Sequence, residues 1–483
     1  EKMILTGGFD GKVNRTEYYK IIADLLGGDY YINIDNFADR DYSATPAKVQ
    51  NDVDYYKQYG AAKVLGVGDK YGYDYYANVR KWNGWLSGKL NLGSLELGVG
   101  GRVGQTAFWR HGLNRKGLFP GVNEDGSPMV IDGVVVTTYD ENGDPITSYG
   151  KSQVLRFLTY AAKVNLNYLL PGGHRFYANA GYFNDAPNFS QAFMSPRTRN
   201  SVAPDLTTVK TLTGDINYQV SSNGYNFRIT GYYTDIMDQS KVMSFYDDSQ
   251  NSFTNFALTG IDERHTGMEM GFKIPTDFPN LALQGVLGYG EYYYTSNPKM
   301  YQTIDNNASI VEETYGVVIP YWKSHPTASG QTARHYVEST PQLAASLGLS
   351  WNWNYWFVDA DVDYFGHSYL SMNPLYRTDY ATAGPDREAT IEEVEYMASQ
   401  EKFAPVWLLN CSVGKSWYIQ RKYQLGFSLN AKNLLNNKQV KTGGYEQNRI
   451  VENTVAKERF YRFDSRYFYM SGFNYMLNIY FRF

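Results

Sequence analysis

"SGFNYMLNIYFRF", residues 471–483, ends the chain and places an apolar or aromatic side chain at every second position. These positions are Phe473, Tyr475, Leu477, Ile479, Phe481 and Phe483. Successive side chains of a strand point to opposite faces, so the pattern predicts a strand with one apolar face. Because chain ends usually fray, an aromatic strand at the terminus requires an apolar surrounding that stabilises it.

The same two-residue period recurs through the chain, for example in 158–168, 211–220, 355–365 and 423–432. The polar positions carry Asn, Thr, Ser, Gly and Gln rather than the Lys and Glu typical of a soluble sheet. We predict fourteen strands, near 1–9, 80–92, 94–108, 155–169, 174–184, 206–220, 225–237, 263–275, 281–295, 341–352, 355–367, 405–415, 421–433 and 468–483.

The connections between these strands alternate strictly between short and long. The short ones are turn sequences such as "NLGS" (91–94), "LPGGH" (170–174) and "SSNG" (221–224). The long ones cover 10–79, 109–154, 185–205, 238–262, 296–339, 368–404 and 434–467. A compact soluble domain rarely contains so many long loops, whereas a membrane barrel has short turns on one side and long loops on the other. We therefore predict that residues 1–483 form an all-β, transmembrane antiparallel β-barrel with long extracellular loops.

The composition agrees with a barrel and excludes several other classes. Aromatic residues make up 16% of the chain, with 45 tyrosines, although the mean hydropathy is only -0.47. In a barrel only alternate residues face lipid, and aromatic residues ring both interfaces. No stretch approaches the roughly 20 apolar residues of a spanning helix. The net charge of -4 gives no indication of a nucleic-acid partner.

A motif near the C-terminus resembles a known family. "AKNLLNNKQV" (431–440) is similar to the Asn-Leu-Phe-Asn-Lys motif of TonB-dependent outer-membrane receptors, with Leu435 in place of the usual aromatic residue. Three further stretches, 193–206, 258–271 and 364–380, resemble the barrel region of such receptors from Bacteroidota. The terminal aromatic strand also resembles the assembly signal of outer-membrane proteins, which would comprise Tyr475, Leu477, Ile479, Phe481 and Phe483.

This resemblance implies a 22-stranded barrel with an N-terminal plug in the bacterial cell outer membrane. The sequence contains no recognisable plug or TonB box, so we expect the chain to be the C-terminal part of a larger barrel. The implied partners are the lipids of the outer membrane, TonB acting through the plug region, and a surface lipoprotein. The implied function is the import of a scarce or bulky ligand, without cofactor, metal or enzymatic chemistry. Two alternatives remain open: a docking subunit of an envelope complex, and a passive 14-stranded channel.

The candidate ligand contacts lie in the predicted loops. Tyr321 and Trp322 lie far from the strand ends, within one of several aromatic stretches (73–85, 291–303 and 316–325) that offer stacking surfaces. Alternatively, these aromatic residues belong to the girdle of Tyr and Trp side chains that lies at the membrane–water interface of a barrel. Arg197, Arg199 and Asn200 in "SPRTRN" have the chemistry to hold a carboxylate or phosphate. Their alternative role is to fix one loop onto another.

Acidic residues follow one face of a predicted strand. Asp359, Asp361 and Asp363 have the spacing of alternate strand positions, about 7 Å apart, and are predicted to face the lumen. They would make the pore wall acidic, and wall acids of this kind commonly pair with Lys or Arg across the lumen.

Overall fold

The structure, a computed structural model, describes residues 2–247, 250–338, 340–382, 388–420, 422–447 and 462–483. Within them one antiparallel sheet contains seventeen strands. The fourteen long ones are β1 (Met3–Ile21), β2 (Lys70–Leu92), β3 (Leu95–Gly112), β4 (Leu155–Leu170), β5 (His174–Asp185), β6 (Val209–Ser222), β7 (Tyr225–Asp247), β8 (Ser252–Pro275), β9 (Leu281–Tyr294), β10 (Leu343–Trp353), β11 (Trp356–Gly366), β12 (Val406–Ile419), β13 (Tyr423–Lys432) and β14 (Asn474–Arg482). The short ones are Gly150–Lys151, Lys299–Ile304 and Val317–Val318.

Each long strand pairs with the next one along the chain, from β1–β2 through to β13–β14. In the pairing registers of the described residues, β1 pairs with β2, and β14 pairs with β13. Such an up-and-down order lets every strand from β2 to β13 use both of its edges for hydrogen bonds. The prediction of an all-β antiparallel barrel fold is confirmed.

The two faces of the sheet differ in chemistry. We call the face that carries Asp361 and Asp363 the inner face. On the opposite, outer face the apolar side chains of neighbouring strands are paired and exposed, as with Leu347 (55% exposed) opposite Val362 (41% exposed). A row of this kind is stable only when the surrounding medium is apolar.

The first two strands are much longer than the sequence predicted. Pairing continues from Met3↔Leu90 to Ile21↔Lys70, although strands were predicted only over 1–9 and 80–92. The added part of β1 contains Lys12, Asn14, Arg15 and Glu17 and so has no apolar face. Hydrogen bonding between backbones requires no apolar face, which is why a search for alternating apolar residues misses these ends.

The hairpin β7–β8 also extends beyond its predicted ends, through much of the predicted loop 238–262. A bulge between Ile236 and Gln239 interrupts the register, and pairing then continues to Asp247↔Ser252. Phe245 and Phe256 stack at 4.4 Å in this extension. At the other end of the chain, Arg466–Tyr469 pairs with Lys441–Tyr445, so β14 begins later than predicted. Parts of four predicted loops, 248–249, 339, 383–387 and 448–461, and the first residues of the predicted strands 1–9 and 421–433 lie outside the described residues.

The long connections contain short helices and small two-stranded sheets. The α-helices are Asn36–Tyr42, Pro46–Val49, Val53–Tyr59, Asp379–Thr382 and Ile391–Ala398, and the 3-10 helices are Pro171–Gly173, Phe189–Gln191, Glu312–Thr314 and Leu375–Arg377. The small sheets pair Tyr31–Ile32 with Val64–Leu65, Val130–Ile131 with Val134–Val135, and Ser324–Pro326 with Thr332–Arg334. All of these helices except Pro171–Gly173, and all of these small sheets, lie at one end of the strands, which we call the long-loop end.

Adjacent residues of β10 offer a direct test of the two faces. Leu347→Arg places a charge on the outer face, and we expect it to destabilise the protein in a bilayer by about 2–4 kcal/mol. Ser346→Arg on the inner face, opposite Asp363, is the matched control and is expected to cost less than about 1 kcal/mol. Equilibrium urea unfolding in phospholipid vesicles measures both values, and equal destabilisation by the two variants would contradict the assignment of the faces.

Candidate functional site

The connections at the long-loop end share an apolar core of their own, which we call the loop core. Its buried side chains from the connections include Ile319, Trp322, Met372, Leu375, Tyr376, Ala381 and Met397. They pack against Phe256, Leu258, Ile261 and Tyr294, which are residues of β8 and β9. Because the connections share these buried apolar contacts, they form one folded layer rather than separate loops that do not contact each other.

A buried ionic cluster joins separate segments beside the loop core. Arg377 is fully buried and donates through Nη2 to Oε1 of Glu446 at 2.9 Å, and through Nη1 to Oε2 of the same carboxylate. Arg462 Nη2 also donates to Oε1 of Glu446, at 2.7 Å. One buried carboxylate thus holds two guanidinium groups. Removal of the acid would leave a buried charge without compensation, which is strongly destabilising.

Two buried histidines lie in the same region. His335 Nδ1 is 2.8 Å from the carbonyl oxygen of Trp322, which can only accept, so Nδ1 must donate. His335 Nε2 therefore accepts from His325 Nδ1, also at 2.8 Å. Burial, followed by the charge of Arg377, lowers the pKa of His335 to about 3. Burial likewise lowers the pKa of His325.

The two predicted aromatic contacts belong to this folded layer. Trp322 is 1% exposed, and its ring centre lies 5.2 Å from that of Tyr294. Tyr321 is half-buried, and its backbone N–H donates to the carbonyl of Arg377 at 3.1 Å. Burial and the neighbouring Asp379 raise the pKa of the Tyr321 hydroxyl. Trp322 therefore contributes to the loop core, and a ligand role for either residue stays a prediction.

The structure separates the three predicted residues of "SPRTRN". Arg199 is 1% exposed and donates through Nη1 to Asp305 Oδ1 at 3.0 Å, which fixes one connection onto another. Burial lowers the pKa of the Arg199 guanidinium. Asn200 Oδ1 accepts from Arg110 Nη1 at 2.6 Å. Arg197 is exposed, and its guanidinium carbon lies 5.5 Å from the ring centre of Tyr73.

Arg197 belongs to a group of cations and tyrosines near the long-loop end of β1, β2 and β3. We call this group the basic–tyrosine cluster, and it comprises Lys20, Arg110, Arg197, Tyr18, Tyr73 and Tyr75. The ammonium of Lys20 lies 5.3 Å from the ring centre of Tyr73, and the guanidinium of Arg110 lies 4.9 Å from that of Tyr75. Tyr18 and Tyr75 are stacked with their ring centres 5.2 Å apart.

The strand register explains why these residues meet. Tyr18 is the direct partner of Tyr75 across β1 and β2, and Arg110 is the direct partner of Ala77 across β2 and β3. Direct partners share a face of the sheet, so the side chains of all three strands converge. The sequence indicated the aromatic stretch 73–85 and Arg197, but it did not identify Lys20 or Arg110. Tyrosine at alternate positions of "YGYDYY" (71–76) indicates in the sequence that one face of β2 is aromatic. That Lys20 and Arg110 lie beside this face is evident only from the register of the strands.

The predicted acidic row lies on the inner face of β11. The side-chain amide of Asn410 on β12 donates to Oδ2 of Asp361 at 2.7 Å and to Oδ2 of Asp363 at 2.8 Å. Asp359 occupies the same strand face, two residues earlier. Asp363 also lines a recess together with Arg228 and Glu269. Asp361 and Asp363 are thus hydrogen-bonded to an amide rather than to a cation. A role of the acidic row in the pore stays a prediction.

The predicted assembly residues form the exposed apolar side of β14. Their exposed fractions are 68% for Tyr475, 54% for Leu477, 67% for Ile479, 55% for Phe481 and 95% for Phe483. The pairs Leu429↔Leu477 and Phe427↔Ile479 continue the apolar outer face from β13. Their role as an assembly signal is a prediction.

Within the described residues, no group of three or more His, Cys, Asp or Glu side chains is arranged to hold a metal ion. None of the helices in this part of the chain has both the length and the apolar composition needed to cross a bilayer.

A polar inner face, an apolar outer face and long connections at one end of the strands are features of a transmembrane β-barrel. The profile of the family described as "TonB dependent receptor-like, beta-barrel" matches residues 5–434. The chain therefore belongs to this family. Comparison of the sequence with curated proteins gives no significant match.

Solved structures share the fold at low sequence identity. The copper transporter OprC matches with a TM-score of 0.52 and 12% identity over 99% of this chain and 54% of its own. The ferric-catecholate import receptor Fiu of E. coli K12 matches with a TM-score of 0.45 and 13% sequence identity, and the match covers 85% of this chain and 47% of Fiu. The outer membrane transporter YddB of Escherichia coli matches with a TM-score of 0.44 and 11% sequence identity, and the match covers 99% of this chain and 60% of YddB. The chain thus spans about half of the length of the solved receptors that it matches.

The histidine pair makes the loop layer sensitive to acid. The folded pKa of His335, about 3, lies below its ordinary value of 6.5, so an opened loop binds a proton that the folded loop does not. The free energy of opening should therefore be greatest above pH 6.5 and fall by about 1.4 kcal/mol per pH unit below it.

Hydrogen–deuterium exchange of the amides around Ser324–Pro326 and Thr332–Arg334, corrected for the intrinsic rate, measures this free energy at pH 7 and pH 5. His335→Gln retains an N–H donor and does not titrate, so it should reduce the pH dependence. Protection that is equal at both pH values in the unsubstituted protein would contradict the account.

Proposed function

We propose that the chain is the barrel portion of a bacterial outer-membrane transporter that imports a scarce or bulky ligand. The observation that carries this proposal is the family match over residues 5–434 on a sheet whose outer face is apolar. The organisation of the loops supports it. A passive pore requires only an open lumen, whereas a receptor must present fixed side chains to a ligand before transport. The buried loop core and the ionic cluster around Glu446 hold the connections in place, and so fix the side chains at the surface of the loop layer.

The energy for transport comes from TonB in this proposal. Tight binding at the long-loop end slows release, so a bound ligand needs an input of work to cross the barrel. TonB would deliver that work through a plug region that precedes the barrel, and the outer-membrane lipids would contact the outer face. A surface lipoprotein over the long-loop end is a further proposed partner.

We also propose that the receptor is of the Bacteroidota type. The support for this proposal is sequence resemblance over 193–206, 258–271 and 364–380. All three stretches contribute to the features described above. Arg197, Arg199 and Asn200 lie in the first, Leu258 and Ile261 of the loop core in the second, and the Arg377 segment in the third.

Uptake in cells tests the proposed function. A strain that lacks its own copy of the gene receives the intact gene, and the labelled probes are an iron(III) chelate, cobalamin, an oligosaccharide and an oligopeptide. We expect one probe to accumulate, and to do so only in cells that have TonB and a proton-motive force.

The controls distinguish the alternatives. Uptake that continues after a protonophore is added would favour a passive channel. A protein that is present in the outer membrane but supports no TonB-dependent uptake would favour a docking subunit. Either result would overturn the proposal.

A further inference from the structure

The basic–tyrosine cluster combines three cations with few opposing charges. Arg110 is only 2% exposed, and its hydrogen-bond partners are neutral oxygens: Pro196 O at 2.6 Å, Ser148 O at 2.7 Å and Asn200 Oδ1. Within the part of the chain that the structure describes, neither Arg110 nor Lys20 nor Arg197 forms an ion pair with a carboxylate. A buried guanidinium without a counter-ion is unusual, because desolvation of a charge is costly.

The nearest acids are already engaged elsewhere. Asp35 accepts from Lys116 Nζ at 3.0 Å and from the backbone N–H groups of Phe37 and Ala38 at the start of a helix. Burial acts to raise the pKa of Asp35, but Lys116 and these N–H groups outweigh it, so the pKa is lowered. Asp35 is therefore ionised and its charge is already balanced.

Two acids on the strands lie on the other face. Asp74 falls between Tyr73 and Tyr75 and so points away from them. It accepts from Lys70 Nζ at 2.8 Å, and Glu17 contacts the same ammonium. At the long-loop end, one face of β1 and β2 therefore has paired acids and bases. On the opposite face, Tyr18, Lys20, Tyr73 and Tyr75 lie together, and Asp10 on that face of β1 lies further along the strand, opposite Asn83.

The cations lie close together around aromatic rings. Lys20 and Arg197 lie 5.3 Å and 5.5 Å from the ring centre of Tyr73. Like charges so close to one ring repel each other, and an anion between them would remove the repulsion. The half-buried ring of Tyr73 is the aromatic surface beside both cations, whereas Tyr75 is buried and contacts Tyr18 and Arg110.

We propose that the basic–tyrosine cluster binds an anionic oxygen group, a carboxylate or a phosphate, on a ring-bearing ligand. Arg197 and Lys20 hold the anion, and the ring of Tyr73 stacks on the ring of the ligand. Arg110 fixes the segment that carries Arg197 and adds positive potential. This inference rests on the proposed function, because it names the chemical class of ligand that the receptor presents for import.

Ligand binding by the intact purified protein tests the proposal. The probes are 4-hydroxybenzoate, inorganic phosphate and the uncharged 4-hydroxybenzyl alcohol, and calorimetry at low salt measures their affinities. We expect 4-hydroxybenzoate to bind more tightly than the alcohol, and Arg197→Gln or Lys20→Gln to weaken it by about tenfold each. Tyr73→Leu should weaken 4-hydroxybenzoate while it leaves phosphate less affected, since phosphate has no ring to stack.

The matched control is Arg15→Gln. Arg15 lies on β1 with its guanidinium carbon 3.6 Å from the ring centre of Tyr76, outside the basic–tyrosine cluster. We expect this variant to bind like the unsubstituted protein. Equal affinity for 4-hydroxybenzoate and the alcohol, or equal losses in Arg15→Gln and Arg197→Gln, would overturn the proposal.

The uptake experiment separates this inference from the proposed function. TonB-dependent uptake that Arg197→Gln and Lys20→Gln leave unchanged would overturn the anion site while it supports the transporter. Anion binding that depends on Arg197, in cells without any TonB-dependent uptake, would support the site and overturn the transporter.

Discussion

The constraint on which the structure depends is the cost of an unpaired backbone group in hydrocarbon. Water is absent there, so each N–H and C=O must find a partner within the protein, and a continuous antiparallel sheet provides one. The order β1 to β14, in which neighbours in sequence are neighbours in the sheet, satisfies this requirement on both edges of each strand from β2 to β13. Tight turns such as 93–94 and 223–224 join some of these neighbouring strands, and long connections at the long-loop end join others.

The same constraint explains why the loops need a core. Outside the hydrocarbon, the connections lose the sheet as a partner and must be held by their own contacts. Trp322, Tyr376 and Met372 supply apolar contacts, and Glu446 with its two arginines supplies an ionic one. The "SPRTRN" turn is held at two points, because Arg110 donates to the carbonyl of Pro196 and Arg199, within the turn, donates to Asp305. Stability of the loops and geometry of the candidate site are therefore linked.

Much of the fold could be predicted because strands with one face in lipid have apolar residues at alternate positions of the sequence. Alternation at Leu425, Phe427 and Leu429 identifies a strand regardless of its neighbours. The extended ends of β1 and β2 could not be predicted, because their pairing involves backbone atoms and side chains such as Lys12 and Glu17 that show no apolar period. Arg197 is recognisable from its motif. Its neighbours Lys20 and Arg110 are 177 and 87 positions away in sequence, and only the register of three strands brings them together.

The central claim is that one face of each strand contacts lipid and the other contacts water. Single spin labels along β11, from 358 to 363 in a protein with Cys411→Ser, measure this directly in a bilayer. Collision with oxygen reports lipid, and collision with a nickel chelate reports water. Labels at Val358, Ala360 and Val362 should favour oxygen, and labels at Asp359, Asp361 and Asp363 should favour nickel. Accessibility without a two-residue period, or with the period reversed, would contradict the account.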